Sequence, residues 1–460
     1  MESKVYIKDL ELYEYDNKKK FAVNKIYSEL NSINLNLCSD KKIYDGVRDL
    51  LIDMGFDKKN VGTKKWNPFS DFIKPGDQVL IKPNLVLHIN KNENGTIDSL
   101  ITNFSVIRPI IDYTILALNG KGKIIVGDAP VQDCNFEELL KINKLKENIE
   151  SYKSVFNNIS LIDFRKNTND KIDFVSVNMT EFSSFKEIDS DSAKYAITNY
   201  SLEQMKEHHN ATCHEYLIPK IVLDSDIIIN LPKPKTHRKA GMTACCKNFI
   251  GINGSKEWLP HHRSGSILKN GDEYPENSLL KKLNSKIEMY IGSKNSTNIF
   301  MRLCRKLTNL GLKLTHQEVY KEGSWFGNDT IWRTILDINK LIIYADKDGK
   351  IKKNKQRTIF NFADMIISGE KEGPLLPTDK PVGYVVAGFN QLEMDYVISK
   401  IMGFDFRKIK YINEGFKLKE KSISLVKYSD IKVIFNGKVI KSYENINKKF
   451  IPSAGWDKNI

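Results

Sequence analysis

Nowhere in this sequence do about 18 apolar residues follow one another, so no membrane span is expected. The opening stretch, MESKVYIKDLELYEYDNKKK, lacks the apolar core of a secretion signal. No C-x-x-C pair occurs, which excludes a ferredoxin-type cluster motif and a zinc ribbon. The six cysteines (38, 134, 213, 245, 246 and 304) are scattered. The adjacent Cys245 and Cys246 cannot bond each other without strain. A cytoplasmic protein with reduced thiols is therefore expected. No G-x-G-x-x-G follows a strand, and neither a G-x-x-x-x-G-K-[ST] phosphate loop nor a G-x-S-x-G elbow is present.

Arginine is scarce as well, with 10 against 61 lysines, and the net charge of +14 is spread along the whole length. No RNA-binding or helix-turn-helix pattern accompanies it, so nucleic acid is not an expected partner. The densest basic patch, Arg302 to Lys313 in FMRLCRKLTNLGLK, is amphipathic. A solvated helix face is the expected reading, with a membrane surface or an acidic partner as the alternative.

What is present is a globular composition, 41% hydrophobic and 10% aromatic, in a chain long enough for two or three domains. Short runs rich in Val and Ile read as buried strands: QVLIK (78–82), KIIVG (123–127), DIIIN (226–230) and VGYVVAG (382–388). Helical patterns lie between them, at 101–120 and 136–149. The alternation predicts an α/β fold with a mostly parallel sheet flanked by helices. Residues 1–70 form an N-terminal cap or extra strand–helix unit. Residues 71–263 form the core, 264–330 an irregular insertion or lid, 331–405 the rest of the core and 406–460 a small appendage.

Three predicted strands end alike, in a polar residue and then a proline: Pro83-Asn84, Asp128-Ala129-Pro130, and Leu231-Pro232-Lys233-Pro234-Lys235. Ligands bind at the carboxyl ends of strands in open α/β sheets. If these strands are neighbours, Lys82, Asn84, Asp128, Asn230, Lys233 and Lys235 converge on one crevice.

The stretch NLPKPKTHRKAGMTACCKNFIGINGSKEWLPHHR (230–263) holds three of the eight histidines. Small residues around Lys247 let it sit partly desolvated, which lowers its pKa and makes it a nucleophile or attachment point. His237 lies ten residues before it, and His261 and His262 follow a Gly-rich turn. The histidine pair is a metal or acid–base element, or else surface decoration. Cys245 and Cys246 read as small packing residues. Further on, Asp346 and Asp348 in YADKDGK are explained by an Asx-turn. Glu370 and Glu372 offer a general base or a divalent-cation ligand. Asp329 reads as a helix N-cap, and Arg333 meets a substrate carboxylate or a structural acid.

The chain resembles the bacterial family known only as domain of unknown function 362. The segments that carry the resemblance are IKPNLV, VGDAPVQ, the 230–263 stretch, WFGNDTIWR, YADKDGK, GEKEGPLLPT and AGFNQLEMDYVISKIMGF. Many relatives carry a fused four-iron cluster domain; this chain has no matching cysteine run, so no iron–sulfur role is carried over. In order and spacing, His237, AGMTACC, Lys247 and His261 or His262 are also similar to the nickel-pincer lactate racemase family. That resemblance implies His237 as an acid–base group, Lys247 as cofactor anchor and a later histidine as metal ligand. The family's second acid–base histidine has no counterpart here, where the VGDAP exit offers Asp128.

The expected protein is a metal- or cofactor-dependent enzyme acting on a small hydroxylated or carboxylated, anionic substrate, by racemase/epimerase-like or oxidoreductase chemistry. His237, Lys247 and Asp128 are the catalytic candidates. Lys82, Asn84, Lys233, Lys235 and Arg333 bind substrate, and His261, His262 and Glu370 hold a divalent metal (nickel, iron or zinc). The alternatives are a redox protein working with a ferredoxin-like partner, and a non-catalytic binder of anionic metabolites.

Overall fold

Unbroken runs of Ile and Val are stable as strands only where both sheet faces are covered. The computed structural model meets that condition. It describes residues 3–460 except 167, 169, 189–193, 199, 201, 295–298, 318 and 458. The central sheet has eleven strands: β1 (Lys4–Asp9), β2 (Gln78–Pro83), β3 (Lys123–Asp128), β4 (Ile159–Asp163), β5 (Ile227–Leu231), β6 (Lys235–His237), β7 (Gly241–Thr243), β8 (Thr358–Glu372), β9 (Leu376–Gly388), β10 (Lys432–Phe435) and β11 (Lys438–Ile440). Their order is β11-β10-β1-β9-β8-β5-β2-β3-β4, with β6 pairing β8 and β7. From β8 to β4 the neighbours are parallel, whereas β9 runs antiparallel to both β8 and β1.

Alternate strand residues feed two cores. Val79, Ile81, Ile124, Val126, Ile227 and Ile229 meet α1 (Lys41–Asp53), α2 (Phe104–Leu118), α3 (Phe136–Ile142) and α4 (Leu145–Tyr152) on one face. Leu80, Ile125 and Ile228 belong to the core of the other face, with the short α5 (Cys245–Asn248), α8 (Ile331–Tyr344) and α9 (Gln391–Met402). Between α5 and α8 lie two 16-residue helices, α6 (Leu279–Lys294) and α7 (Ile299–Leu314). Residues 264–330 are thus more regular than expected.

The four predicted strand cores all lie in the sheet. The N-terminal segment supplies an inner strand, and the tail extends the sheet edge through β10 and β11. The single helix expected over 136–149 is broken at Asn143 and Lys144. Asn143 accepts from the Phe104 amide and donates to the Thr102 carbonyl, both at 3.0 Å, and Lys144 turns left-handed at φ 55°. Tertiary hydrogen bonds to α2 override the local helical pattern there. Asp346 forms the expected Asx-turn, accepting from the Asp348 and Lys350 amides. Thr330, not Asp329, holds the N-cap position of α8, and Asn328 accepts the Thr330 and Ile331 amides at 3.0 Å.

Arg357, just before β8, ties several elements together. Its buried guanidinium donates to the carbonyls of Leu223, Ser225, Ile342 and Ala345. A cation at these chain ends complements the last carbonyls of α8 and of the helix Lys220–Leu223. Arg357→Leu should lower the unfolding free energy by about 3–5 kcal/mol, because several buried carbonyls lose their donor together. Urea titration reads this directly; a loss under about 1 kcal/mol would show that water replaces the guanidinium.

Candidate active site

The carboxyl ends of β5, β2 and β3 are neighbours, which is the condition for the three proline exits to converge. Register places Asn361, Asn230 and Lys82 side by side across β8, β5 and β2. Above them the chain leaves β5, makes the β6–β7 hairpin and enters α5. Gly241 closes that hairpin at φ 82°, with the Trp456 ring 3.1 Å from where a Cβ would stand.

Four residues cannot form a stable helix alone. α5 is held from both ends. At its start the buried carboxylate of Asp395, on α9, accepts the Cys245 amide at 2.6 Å, the Cys246 amide at 3.0 Å and the Tyr411 hydroxyl at 3.0 Å. Burial pushes this carboxyl up to about 6. At its other end Asn248 donates to Asn230 at 2.8 Å and accepts from Asn84 at 2.9 Å. Asn230 continues the chain to Asn361 at 2.9 Å. Both cysteine side chains are wholly buried, as expected of packing residues.

The residues expected to orient substrate are occupied by one another. Lys82 Nζ lies 2.7 Å from Asp128 Oδ1. The Asp128 carboxylate also accepts the Leu85 amide at 2.6 Å and the Ala129 amide at 2.9 Å. Lys235 Nζ donates to Asn84 Oδ1 at 2.6 Å and to the Leu100 carbonyl at 2.7 Å. Lys233 pairs with Asp364 at 2.9 Å and reaches the Tyr15 oxygen. All three lysines are fully buried. They and Asp128 therefore form a floor of mutually bound side chains. Arg333 is held by the Ser184 carbonyl and by Asp329 and is tied to structure.

Above this floor stands Lys247. It is half-buried, and among the described residues it has neither a hydrogen bond nor an ion pair. Burial, then the charges of Lys256, Lys239 and Lys82, bring its pKa down to about 7. Lys239 and Lys256 are each lowered to about 8, burial being the first cause. Lys256 Nζ donates to the Ala129 carbonyl at 2.8 Å, and Lys239 Nζ donates to Thr198 at 3.2 Å. Neither was singled out from the sequence, although both lie in the same stretch; a count of cations flanking Lys247 would have found them. Asp395, 148 residues further on, had no local signal.

His237 and His261 both feel the Lys247 charge. His237 Nδ1 accepts the Lys239 amide at 3.0 Å and the Ala240 amide at 3.1 Å. Two amides can only donate, so the neutral ring carries its proton on Nε2. His261 Nδ1 faces the Leu259 carbonyl at 2.7 Å, an acceptor only, so Nδ1 holds the proton and Nε2 is the free base. Burial, then Lys247, hold both rings well below the usual histidine range, and both are neutral. The WFGNDTIWR segment and the residue after it position His261: Asn328 donates to its carbonyl at 2.9 Å, and Thr334 donates to the Pro260 carbonyl at 2.7 Å.

The expected metal set of His261, His262 and Glu370 is not assembled. His261 precedes the two-residue strand His262–Arg263, and the alternation of side chains along extended chain sends neighbours to opposite sides. His262 is buried with Nδ1 unpartnered. Glu370 is drawn to Lys380 at 3.4 Å and to the Ile451 amide at 3.0 Å. Among the described residues, no three of His, Cys, Asp and Glu form a metal-holding group.

Two changes test this electrostatic account. Gly251 packs so closely on the floor that a Cβ would lie 2.0 Å from Asp128 Oδ1 and 2.8 Å from Lys82 Nζ. Gly251→Ala should cost about 1–3 kcal/mol of stability, read by denaturant titration. Lys256→Met should raise the apparent pKa of Lys247 from about 7, because it removes the largest charge effect after burial. The pH dependence of Lys247 acetylation, followed by peptide mass spectrometry, measures it; an unchanged value would mean burial acts alone.

The family described as Domain of unknown function (DUF362) matches residues 191–400. That span contains the β6–β7 hairpin, α5 with Lys247, both histidines, the α8 residues that position His261, and Asp395. A search of curated proteins finds no match. Neither comparison supports the likeness to the lactate racemases. The match across 191–400 makes this part of the chain similar to the Domain of unknown function (DUF362) family.

Proposed function

We propose that the protein is a racemase- or epimerase-like enzyme that moves a proton at a carbon beside the carboxylate of a small hydroxylated acid. One observation carries this reading: two neutral histidines in opposite tautomers, His237 with Nε2–H and His261 with a bare Nε2, beside an unpaired lysine. One ring is ready to give a proton and the other to take one. Lys247, in its ammonium form, meets the substrate carboxylate, and Lys239 and Lys256 add to the attraction. The alternative role of Lys247 is cofactor anchor, since an amine with a pKa of about 7 is free enough at neutral pH to bond a carbonyl or acyl group. A cofactor held there would supply the hydride acceptor that oxidoreductase chemistry needs and side chains lack.

Exchange of substrate C–H for solvent deuterium, followed by NMR over a panel of 2-hydroxy acids, tests the proton transfer. His237→Gln and His261→Gln should each slow exchange by about 10²–10⁴-fold. Exchange unaffected by both changes sinks the assignment. Intact-mass measurement of the protein from its own host reports whether Lys247 carries an adduct.

A second reading, a non-catalytic binder of anionic metabolites, is favoured by the three lysines alone. Both readings share a linkage. The folded state releases the Lys247 proton at about 7, whereas the ordinary value is 10.5. Between those values the unfolded chain binds more protons, so stability rises with pH across the window; below about 7 the penalty of the buried charge is fully present. A polyvalent anion relieves that penalty. Citrate should therefore raise the melting temperature more near pH 6 than at about pH 9, with proton uptake on binding seen by calorimetry in two buffers. Equal stabilisation at both pH values would place the anion elsewhere. Catalysis and mere binding then separate on the deuterium-exchange result.

A further inference from the structure

The α6–α7 pair lies outside the site and carries an apolar surface that the fold does not cover. α7 packs on α6 through one side only: Thr308 donates to Asn284 at 2.9 Å, Gly311 lies against Leu280, and Leu312 is fully buried. On the opposite side Leu303, Leu307, Leu310 and Leu314 are 51%, 59%, 53% and 74% exposed. Their spacing of four, three and four residues makes a continuous ridge along one helix face. α6 adds the exposed Leu279 and Leu283. Scattered single leucines on a surface need no explanation, but a row of four does.

The charges around the ridge say what covers it. Arg302, Lys306 and Lys313 are exposed, and helical spacing sets all three along one flank of the ridge. From Leu279 to Leu314 there are eight basic residues and one acidic one, Glu288, which is paired with Arg305. A second copy seated ridge to ridge would bring two such basic rows together, and like charges side by side oppose that pairing. The ridge is a convex helix side rather than a pocketed groove, so it offers no shape for a particular protein to read. An apolar stripe with lysine and arginine at its edge is the pattern of a helix lying in a membrane interface. The leucines reach the acyl boundary, and the basic heads stay at the level of anionic headgroups. No helix among the described residues is long and apolar enough to cross a membrane, so the contact lies in the plane of the surface.

We propose that α7, supported by α6, docks the protein on an anionic lipid surface through Leu303, Leu307, Leu310 and Leu314, with Arg302, Lys306 and Lys313 at the headgroups. Flotation of the whole chain with vesicles tests it. One set is phosphatidylcholine alone; the other contains about a third phosphatidylserine. The protein should float with the anionic vesicles and not with the neutral ones. Leu307→Ser with Leu310→Ser should reduce binding about tenfold or more. Arg302→Ser, Lys306→Ser and Lys313→Ser together should reduce it roughly a hundredfold. All these side chains are on the surface, so helix content and melting temperature should hold; Arg302→Gln with Lys306→Gln is the milder check if they do not. Three results overturn the proposal: no flotation of the folded protein with anionic vesicles, anionic binding that the leucine changes leave intact, or a stable dimer in solution that those changes dissolve. The second outcome would mean attraction by overall basic charge, and the third would make a second copy the occupant.

Discussion

The buried carboxylate of Asp395, gripping the first two amides of a four-residue helix, is the contact on which the placement of Lys247 depends. α5 is too short to persist by its own hydrogen bonds. Asp395 satisfies its leading amides, while Asn339 donates to the Cys246 carbonyl at 2.9 Å. Asn248 joins the helix to the asparagine row over the sheet. Each bond adds about 1 kcal/mol, but a break would leave several buried polar groups unpaired at once. The helix is therefore fixed, and Lys247, one residue before Asn248, is left as the side chain that nothing ties.

That arrangement holds a cation where charge is least welcome. Lys82 has Asp128 and Lys233 has Asp364, and both pairs lie in the floor. Lys247 has no such partner, and its nearest charges are of the same sign. Each pKa unit of depression corresponds to about 1.4 kcal/mol of disfavoured protonation. In the proposed reading an anion beside Lys247 would remove that penalty, and the energy released would add to the binding of a negatively charged ligand. The carboxylates of the floor are too well satisfied by amides and lysines to neutralise the lysines above.

The sheet was legible because its strands announce themselves. QVLIK, KIIVG and DIIIN are apolar on both faces and end in proline, but their adjacency is set by pairing that the sequence does not print. β8 was harder to read, because Asn361, Asp364 and Ser368 interrupt its apolar pattern with residues whose partners are distant in sequence, such as Asn230 and Tyr15. One stretch of sequence holds His237, Lys247 and the pair His261 and His262, but it does not say which histidine of the pair feels the Lys247 charge. The inward turn of Lys82, Asn84 and Asp128 was not: sequence places a polar residue at a strand end but does not say whether it faces a ligand or another strand's residue. The fate of Arg333 and Glu370 was equally hidden, since Ser184, Lys380 and Ile451 enter from other parts of the chain.

The histidines show how this site differs from one built on carboxylate–imidazole pairs. A carboxylate beside a ring stabilises the imidazolium and raises its pKa. Here the partners of both rings are backbone groups, two amides for His237 and one carbonyl for His261. Amides aimed at Nδ1 forbid a proton there, and a carbonyl aimed at Nδ1 requires one. Each backbone contact thus selects a tautomer without inviting a second proton, and the cations nearby press the same way. Neither ring draws its state from bulk pH across the neutral range. Each tautomer is set by the backbone around its ring, whereas Lys247, brought down to about 7, does respond to pH.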